Sequence, residues 1–140
     1  MAGYAGRKKP AESVALDLYA KALAIEDAAG ARLVVVTTDL IGVPRKLREA
    51  IEAEAAEKFK LPPASLLMNA SHTHCGPELR IDRMAADGRD AERINLSADY
   101  AAELHKQLIG ITGQSLAELR PARLDYLHAR AGFAMNRRRP

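Results

Sequence analysis

A predicted strand, helix and second strand follow one another near the middle of the chain and constrain its fold more than any other feature. Arg32–Leu40 (RLVVVTTDL) is β-branched and almost continuously apolar, as a buried strand is expected to be. After Pro44, apolar residues recur at every fourth position, the stripe of an amphipathic helix: Leu47, Ile51, Ala55 and Phe59. Pro62-Pro63 ends this helix, and the apolar run Ser65–Asn69 (SLLMN) predicts the second strand. Because a helix of about 15 residues connects them, the two strands should lie parallel, with a right-handed crossover.

A hairpin is expected before this unit. In Leu18–Ile25, small and larger apolar residues alternate, which predicts a strand. Gly30 lies in the turn that follows and supplies the positive φ that such a turn often needs. The first strand should therefore pair antiparallel with Arg32–Leu40.

The second half of the chain carries weaker signals. Gly76–Asn95 is dense in charge and has no clean period, so we predict a long loop there. Ser97 is placed to cap a second helix. Its predicted inner stripe is Tyr100, Leu104, Leu108 and Ile111. We expect this helix to kink or end near Gly110 or Gly113, and Arg123–Arg130 to form another strand. The predicted fold class is therefore α/β: a mixed sheet with a strand hairpin, a right-handed βαβ crossover and flanking helices.

Composition and charge exclude several classes of protein. With a single Cys among 140 residues the chain cannot be a disulfide scaffold, and at 48% hydrophobic it is too apolar for a disordered one. No run approaches the roughly 18–20 apolar residues of a membrane span, and no apolar segment follows Arg7-Lys8-Lys9 as in a secretory signal. The net charge of +3 is accounted for by Arg137–Arg139, so no basic stripe favours nucleic-acid binding.

The segment Asn69–Pro77 (NASHTHCGP) is the sharpest candidate for chemistry. Two of the four His of the chain, His72 and His74, lie two residues apart just after the predicted strand Ser65–Asn69. In extended chain such residues project from the same face, so both imidazoles can reach one zinc ion at about 2.0–2.1 Å. The same spacing also fits two His without a metal, and a zinc site needs three or four ligands.

Other candidates surround this pair. Asp39 ends the preceding parallel strand, so it should reach the same edge of the sheet and either orient a ligating imidazole or cap a loop or the Pro44 helix. Cys75 is either a soft ligand, a nucleophile or a bystander thiol. His105 is interpreted as a packed or surface residue, and His128 as structural or as a third ligand.

The motif Asn69-Ala-Ser-His72-Thr-His74-Cys-Gly-Pro77 resembles the Asn-x-(Ser/Thr)-His-Thr-His-(Ser)-Gly-Pro motif of neutral/alkaline, non-lysosomal ceramidases. Met1–Tyr4 is similar to the Gly-Tyr segment near the start of that catalytic domain, and Asn136-Arg137 also falls in family order. Two positions depart from the pattern. Cys75 stands where the family usually has Ser, and Arg138–Pro140 stands where it has Ser-Pro, which leaves the substrate open.

The resemblance implies a zinc-dependent hydrolase that cleaves the N-acyl bond of ceramide. It implies that His72 and His74 are zinc ligands and that Arg137 is the arginine facing the substrate near the metal. It places the remaining ligands downstream of residue 140, so residues 1–140 are expected to be the N-terminal portion of a catalytic domain, inactive alone. It also implies a lipid amide substrate, contact with a membrane surface in the full-length protein, and a secreted or membrane-facing location, although this chain carries no signal peptide.

Two alternatives stay open at this point. In one, the chain is a non-catalytic α/β binding module in which His72 and His74 are structural. In the other, it belongs to a metal amidohydrolase that uses the same His pair on a different amide.

Overall fold

Three strands and three helices make up the part of the chain that the structure, a computed structural model, describes: residues 1–4, 9, 11–133 and 138. In chain order they are strands β1 (Ala20–Glu26) and β2 (Arg32–Thr38), helix α1 (Arg45–Phe59), strand β3 (Leu66–Ala70), and helices α2 (Ile81–Ala86) and α3 (Ala91–Ala117). The strands form one mixed sheet in the order β1-β2-β3. The expected α/β class is confirmed.

The hairpin and the crossover are both present. β1 pairs antiparallel with β2, and β2 pairs parallel with β3. In the hairpin turn, the Asp27 carboxylate accepts hydrogen bonds from the backbone N–H groups of Ala29 and Ala31, both at 2.9 Å. Gly30 has a φ of 81°, which confirms its predicted conformation. Local turn chemistry therefore sets the antiparallel register.

Helix α1 lies where the apolar stripe predicts it, but it ends at Phe59, before the prolines that were predicted to stop it. Lys60 adopts the left-handed conformation at φ 54° and donates its backbone N–H to the carbonyl of Ala55. A left-handed residue closes a helix because its N–H reaches back to an otherwise unpaired carbonyl. Pro63 instead opens a short 3₁₀ turn, Pro63–Ser65, that leads into β3.

The core lies on one face of the sheet. Val34 and Val36 of β2 are fully buried there, and they form one apolar cluster with residues of α1 and α3 such as Ile51 and Leu108. On the opposite face, Leu67 is 54% exposed. The near-continuous apolar character of β2 predicted burial on both faces, but in the described residues only one face is covered.

The predicted loop over Gly76–Asn95 is wrong, because two helices occupy much of it. α2 begins at Ile81, and α3 begins at Ala91, where the Asp90 carboxylate accepts a 2.9 Å hydrogen bond from the Arg93 backbone N–H. Such a side-chain cap satisfies an N–H that the first helical turn leaves unpaired. Ser97 therefore lies inside α3 and does not cap it.

The rest of α3 partly follows its predicted stripe. Leu104 and Leu108 are buried, whereas Tyr100 is 43% exposed. The helix does not end near Gly110 or Gly113. Gly113 faces α1, and a Cβ there would lie 2.7 Å from the ring of Phe59. This glycine lets the two helices approach closely, so its cost in helix propensity is offset by packing.

The strand predicted over Arg123–Arg130 is also wrong. The chain from Pro121 to Phe133 has no helix or strand, and Leu124 and Leu127 are 82% and 90% exposed. Strand propensity expresses how well a residue fits a half-buried sheet surface, and no neighbouring strand supplies one here. Among the described residues, no helix combines the length and the apolar composition that crossing a membrane requires.

The position of the core on one face of the sheet can be tested by substituting one apolar residue on each face. Ile51 is fully buried, and Leu67 is half exposed on the opposite face. We expect Ile51→Ala to lower the free energy of unfolding by about 2–5 kcal/mol, because it removes methyl groups and leaves a cavity. Leu67→Ala should cost about 1 kcal/mol or less. Urea denaturation followed by circular dichroism measures both, and equal losses would contradict a core on one face.

Candidate metal centre

Residues 71–76, which follow β3 and are called the His loop below, are held by backbone hydrogen bonds to the end of β2 and the segment after it. Ser71 N–H donates to the Thr38 carbonyl at 3.0 Å, and Thr73 N–H donates to the Leu40 carbonyl at 3.2 Å. These bonds extend the parallel pairing of β2 and β3 past the ends of both strands. The loop therefore lies at the carboxyl edge of the parallel strands, where α/β sheets commonly bind ligands.

His72 is oriented by a backbone carbonyl. Its Nδ1 lies 2.7 Å from the Ile41 oxygen. A carbonyl oxygen only accepts, so Nδ1 is the donor, and in the neutral imidazole the lone pair is then on Nε2. Metal-ligating His commonly use their second nitrogen in this way. The exposed His72 is thus in the tautomer that suits binding of a metal through Nε2.

His74 lies beside it, partly buried. The two ring centroids are 5.1 Å apart, with the ring planes at 64°. Two imidazoles on one tetrahedral zinc ion have centroids about 5 Å apart, given a Zn–N distance of about 2.0–2.1 Å. The structure therefore brings His72 and His74 together, at a centroid separation that fits two ligands of one zinc ion and equally fits an edge-to-face ring contact.

The route to this geometry differs from the predicted one. His72 is not in extended chain, since its φ is 58°. Among described non-glycine residues this left-handed conformation occurs at Tyr4, Lys60 and His72, and Lys60 is the end of α1. Such conformations persist where surrounding contacts hold them, and they cluster at functional sites.

Asp39 does not orient either imidazole in the way that the sequence suggested. Its Oδ2 accepts a 3.1 Å hydrogen bond from the backbone N–H of Tyr19, and its own N–H donates to the Tyr19 carbonyl at 2.9 Å. Asp39 thus fastens the start of β1. The acceptor that orients His72 is the Ile41 carbonyl, which sequence reasoning missed because a backbone group leaves no residue signature.

The structure does not place the other described candidate residues together with the His pair as a third metal ligand. Cys75 is an exposed free thiol, and His128 is exposed in the extended segment after α3. His105 contacts Glu54 of α1, with Nε2 and Oε2 2.8 Å apart. Arg137 lies outside the described residues. Within the described part of the chain, no group of three or more His, Cys, Asp or Glu side chains is arranged to hold a metal ion.

A largely apolar groove, whose lining also includes Arg45, Arg80 and Arg83, lies among the three helices. It has a volume of about 620 Å³, and helices α1, α2 and α3 all contribute to it. Its walls include Leu47, Leu79 and Ile81, and the ion pair between Lys46 and Asp82 (2.8 Å) lies among its lining residues. The volume falls within the range of small-molecule sites, which are mostly apolar with a few polar groups.

Comparisons with known proteins identify no relative of this chain. No protein-family model, no curated protein and no solved structure matches the chain. The function must therefore be argued from the motif and from the geometry of its residues.

The role of Asp39 can be tested directly. Asp39→Ala removes the acceptor for the Tyr19 N–H, so the free energy of unfolding should fall by about 0.5–1.5 kcal/mol. Because Ile41, and not Asp39, bonds His72, zinc affinity should change less than about twofold. Denaturation and a zinc titration measure the two effects. A tenfold loss of zinc affinity in Asp39→Ala would contradict this prediction and would indicate that Asp39 orients a ligating imidazole.

The contact between Glu54 and the basic residues around it predicts a pH dependence of stability. A hydrogen bond from Lys58, aided by the charges of Lys58 and His105, holds the pKa of Glu54 below its ordinary value. A lowered folded-state pKa contributes stability above the unfolded pKa, and this is lost as pH falls through the folded pKa. Glu54→Gln should therefore flatten the loss of stability in the acid range below about pH 5. Glu57→Gln, an exposed neighbour on the same helix, is the control, and an unchanged acid profile in Glu54→Gln would contradict the prediction.

Proposed function

We propose that this chain contributes part of the zinc centre of an amide hydrolase that resembles the neutral ceramidases and cleaves the N-acyl bond of a ceramide-like lipid amide. The observation that carries the proposal is the pairing of His72 and His74 at the carboxyl edge of the sheet, with His72 oriented by the Ile41 carbonyl. The motif around the pair supplies the family resemblance.

The two His have distinct places in this centre. His72 offers Nε2, and its Nδ1–H bond to Ile41 fixes both the ring and the tautomer. His74 supplies the second imidazole. When bound, zinc supplies a Lewis acid that polarises an amide carbonyl and lowers the pKa of a water molecule. By the resemblance, Arg137 stabilises the negative charge that develops on the carbonyl oxygen, and further ligands come from downstream.

The apolar groove supports a substrate with a hydrocarbon chain. The groove is close to the His pair along the chain: Ile41, which contacts His72, precedes the lining residue Pro44 by three positions, and Gly76 precedes the lining residue Leu79 by three. Burial of alkyl chain in such a groove stabilises binding by about 0.8 kcal/mol per CH₂ group. This supports a lipid amide over a small polar amide.

One observation favours the alternative, in which the two His are structural. His74 is partly buried and makes an edge-to-face contact with the Tyr4 ring, with centroids 4.6 Å apart. In that case the loop would need no metal, and a chelator would leave its stability unchanged. A hydrolase acting on a different amide is the other outcome that the experiments below distinguish.

Zinc binding to single-site variants of the full-length protein, in which the resemblance places the remaining ligands, tests the proposal. His72→Ala and His74→Ala should each lower zinc affinity at least about 10-fold, because losing a ligand costs more than losing a group that supports one. His128→Ala is the matched control, since it removes an exposed imidazole far along the chain. Competition with a chromophoric chelator measures the affinities. No zinc binding in the wild type, or equal binding in all variants, would contradict a metal centre.

Substrate class needs a separate measurement on the full-length protein that the resemblance implies. A panel of N-acylsphingosines, other N-acyl lipids and small amides should give fatty acid release chiefly from the lipid amides. His72→Ala should reduce this release more than about 100-fold, with His128→Ala unchanged. Preference for small amides would leave the zinc centre standing but exclude the ceramidase-like substrate.

A further inference from the structure

The first four residues of the chain pack against the His loop. Ala2 is fully buried, and its backbone N–H donates a 2.9 Å hydrogen bond to the Gly76 carbonyl. Gly76 is itself buried against the segment after β2, since a Cβ there would lie 3.4 Å from the Asp39 carbonyl. The buried side of the His loop thus lies between Met1–Tyr4 and the segment after β2.

Gly3 lies directly against the His74 imidazole. A Cβ at residue 3 would lie 2.4 Å from Cγ and 2.6 Å from Nδ1 of His74, closer than real Cβ contacts occur. The φ of Gly3 is 77°, a region that side chains of L-residues rarely adopt. Both facts require glycine at this position if His74 is to keep its place.

Tyr4 completes the contact. Its ring meets the His74 ring edge-to-face, with centroids 4.6 Å apart and planes at 75°. Tyr4 is 62% exposed and has a φ of 46°, a conformation that non-glycine residues seldom adopt. In this conformation its ring lies against that of His74.

We propose that Met1–Tyr4 is a strap that holds the His74 imidazole in one orientation, with Gly3 and Tyr4 as positioning residues for the metal centre. The proposal rests on the zinc centre of the proposed function and deepens it. The Ile41 carbonyl fixes His72, and the strap fixes His74, so each imidazole has its own support. Two rings held in this way need little reordering to share one ion.

The test compares two glycines that share a backbone conformation but not a neighbour. Gly30 has a φ of 81°, close to that of Gly3, and nothing lies within 4 Å of a Cβ built there. Gly3→Ala and Gly30→Ala therefore carry similar backbone strain, but only Gly3→Ala displaces His74. We expect Gly3→Ala to weaken zinc binding about 10- to 100-fold and Gly30→Ala to change it less than about twofold.

Tyr4 variants separate the ring from its hydroxyl. Tyr4→Ala should weaken zinc binding several-fold, whereas Tyr4→Phe should bind within about twofold of the wild type because it keeps the ring contact. Zinc alone is the probe, added to the full-length protein in competition with a chromophoric chelator, and melting temperatures are recorded for every variant. In the metal-free chain, NMR signals of the His74 ring should shift in Gly3→Ala and Tyr4→Ala, while those of His128 should not.

The outcomes separate this proposal from the function on which it rests. If the wild type binds zinc and Gly3→Ala binds it equally well, the strap is overturned and the metal centre stands. If Gly30→Ala loses as much affinity as Gly3→Ala, the effect is general destabilisation and the strap is again overturned. If the wild type binds no zinc, both proposals fail.

Discussion

The parallel pairing of β2 and β3 is the constraint on which the candidate site depends. The strand ladder ends at the pair Thr38 and Ala70, but backbone hydrogen bonds continue to Ser71 and Thr73. The backbone segments after β2 and β3 therefore stay side by side up to the point where His72 contacts the carbonyl of Ile41. A slip of two residues would keep the same faces of β3 buried and exposed, yet it would part His72 from that carbonyl.

The register is fixed by packing far from the site. Val34 and Val36 of β2 and Leu66 of β3 are buried on the face of the sheet that packs against the helices. A slip of one residue in the pairing would turn Leu66 to the opposite face. Near the carboxyl end of the pairing, the Thr38 hydroxyl donates a 3.0 Å hydrogen bond to the Asn69 carbonyl, which ties the last pairs together. Core packing thus excludes a slip of one residue, which would move His72 away from the Ile41 carbonyl.

Sequence patterns predicted the elements whose signal is periodic and strong, and failed where structure depends on a single cap or a missing partner. The unit β2-α1-β3 is marked by β-branched residues and by apolar residues at every fourth position. The start of α3 depends on the Asp90 side chain in a charged stretch, so no period marks it. Arg123–Arg130 has strand-forming residues but no strand to pair with among the described residues.

The candidate site divides in the same way. The spacing of His72 and His74 predicted their proximity. The groups that lie against them are the Ile41 carbonyl, beside His72, and the backbone of Gly3, beside His74, and neither leaves a pattern in the sequence. The left-handed conformation of His72 costs of the order of 1–3 kcal/mol, which contacts of the folded loop, such as the hydrogen bond to Ile41, offset. Folding therefore orders the His72 ring as part of the loop. A ligand that needs this ring would bind with a smaller loss of side-chain freedom than one that had to order it on association.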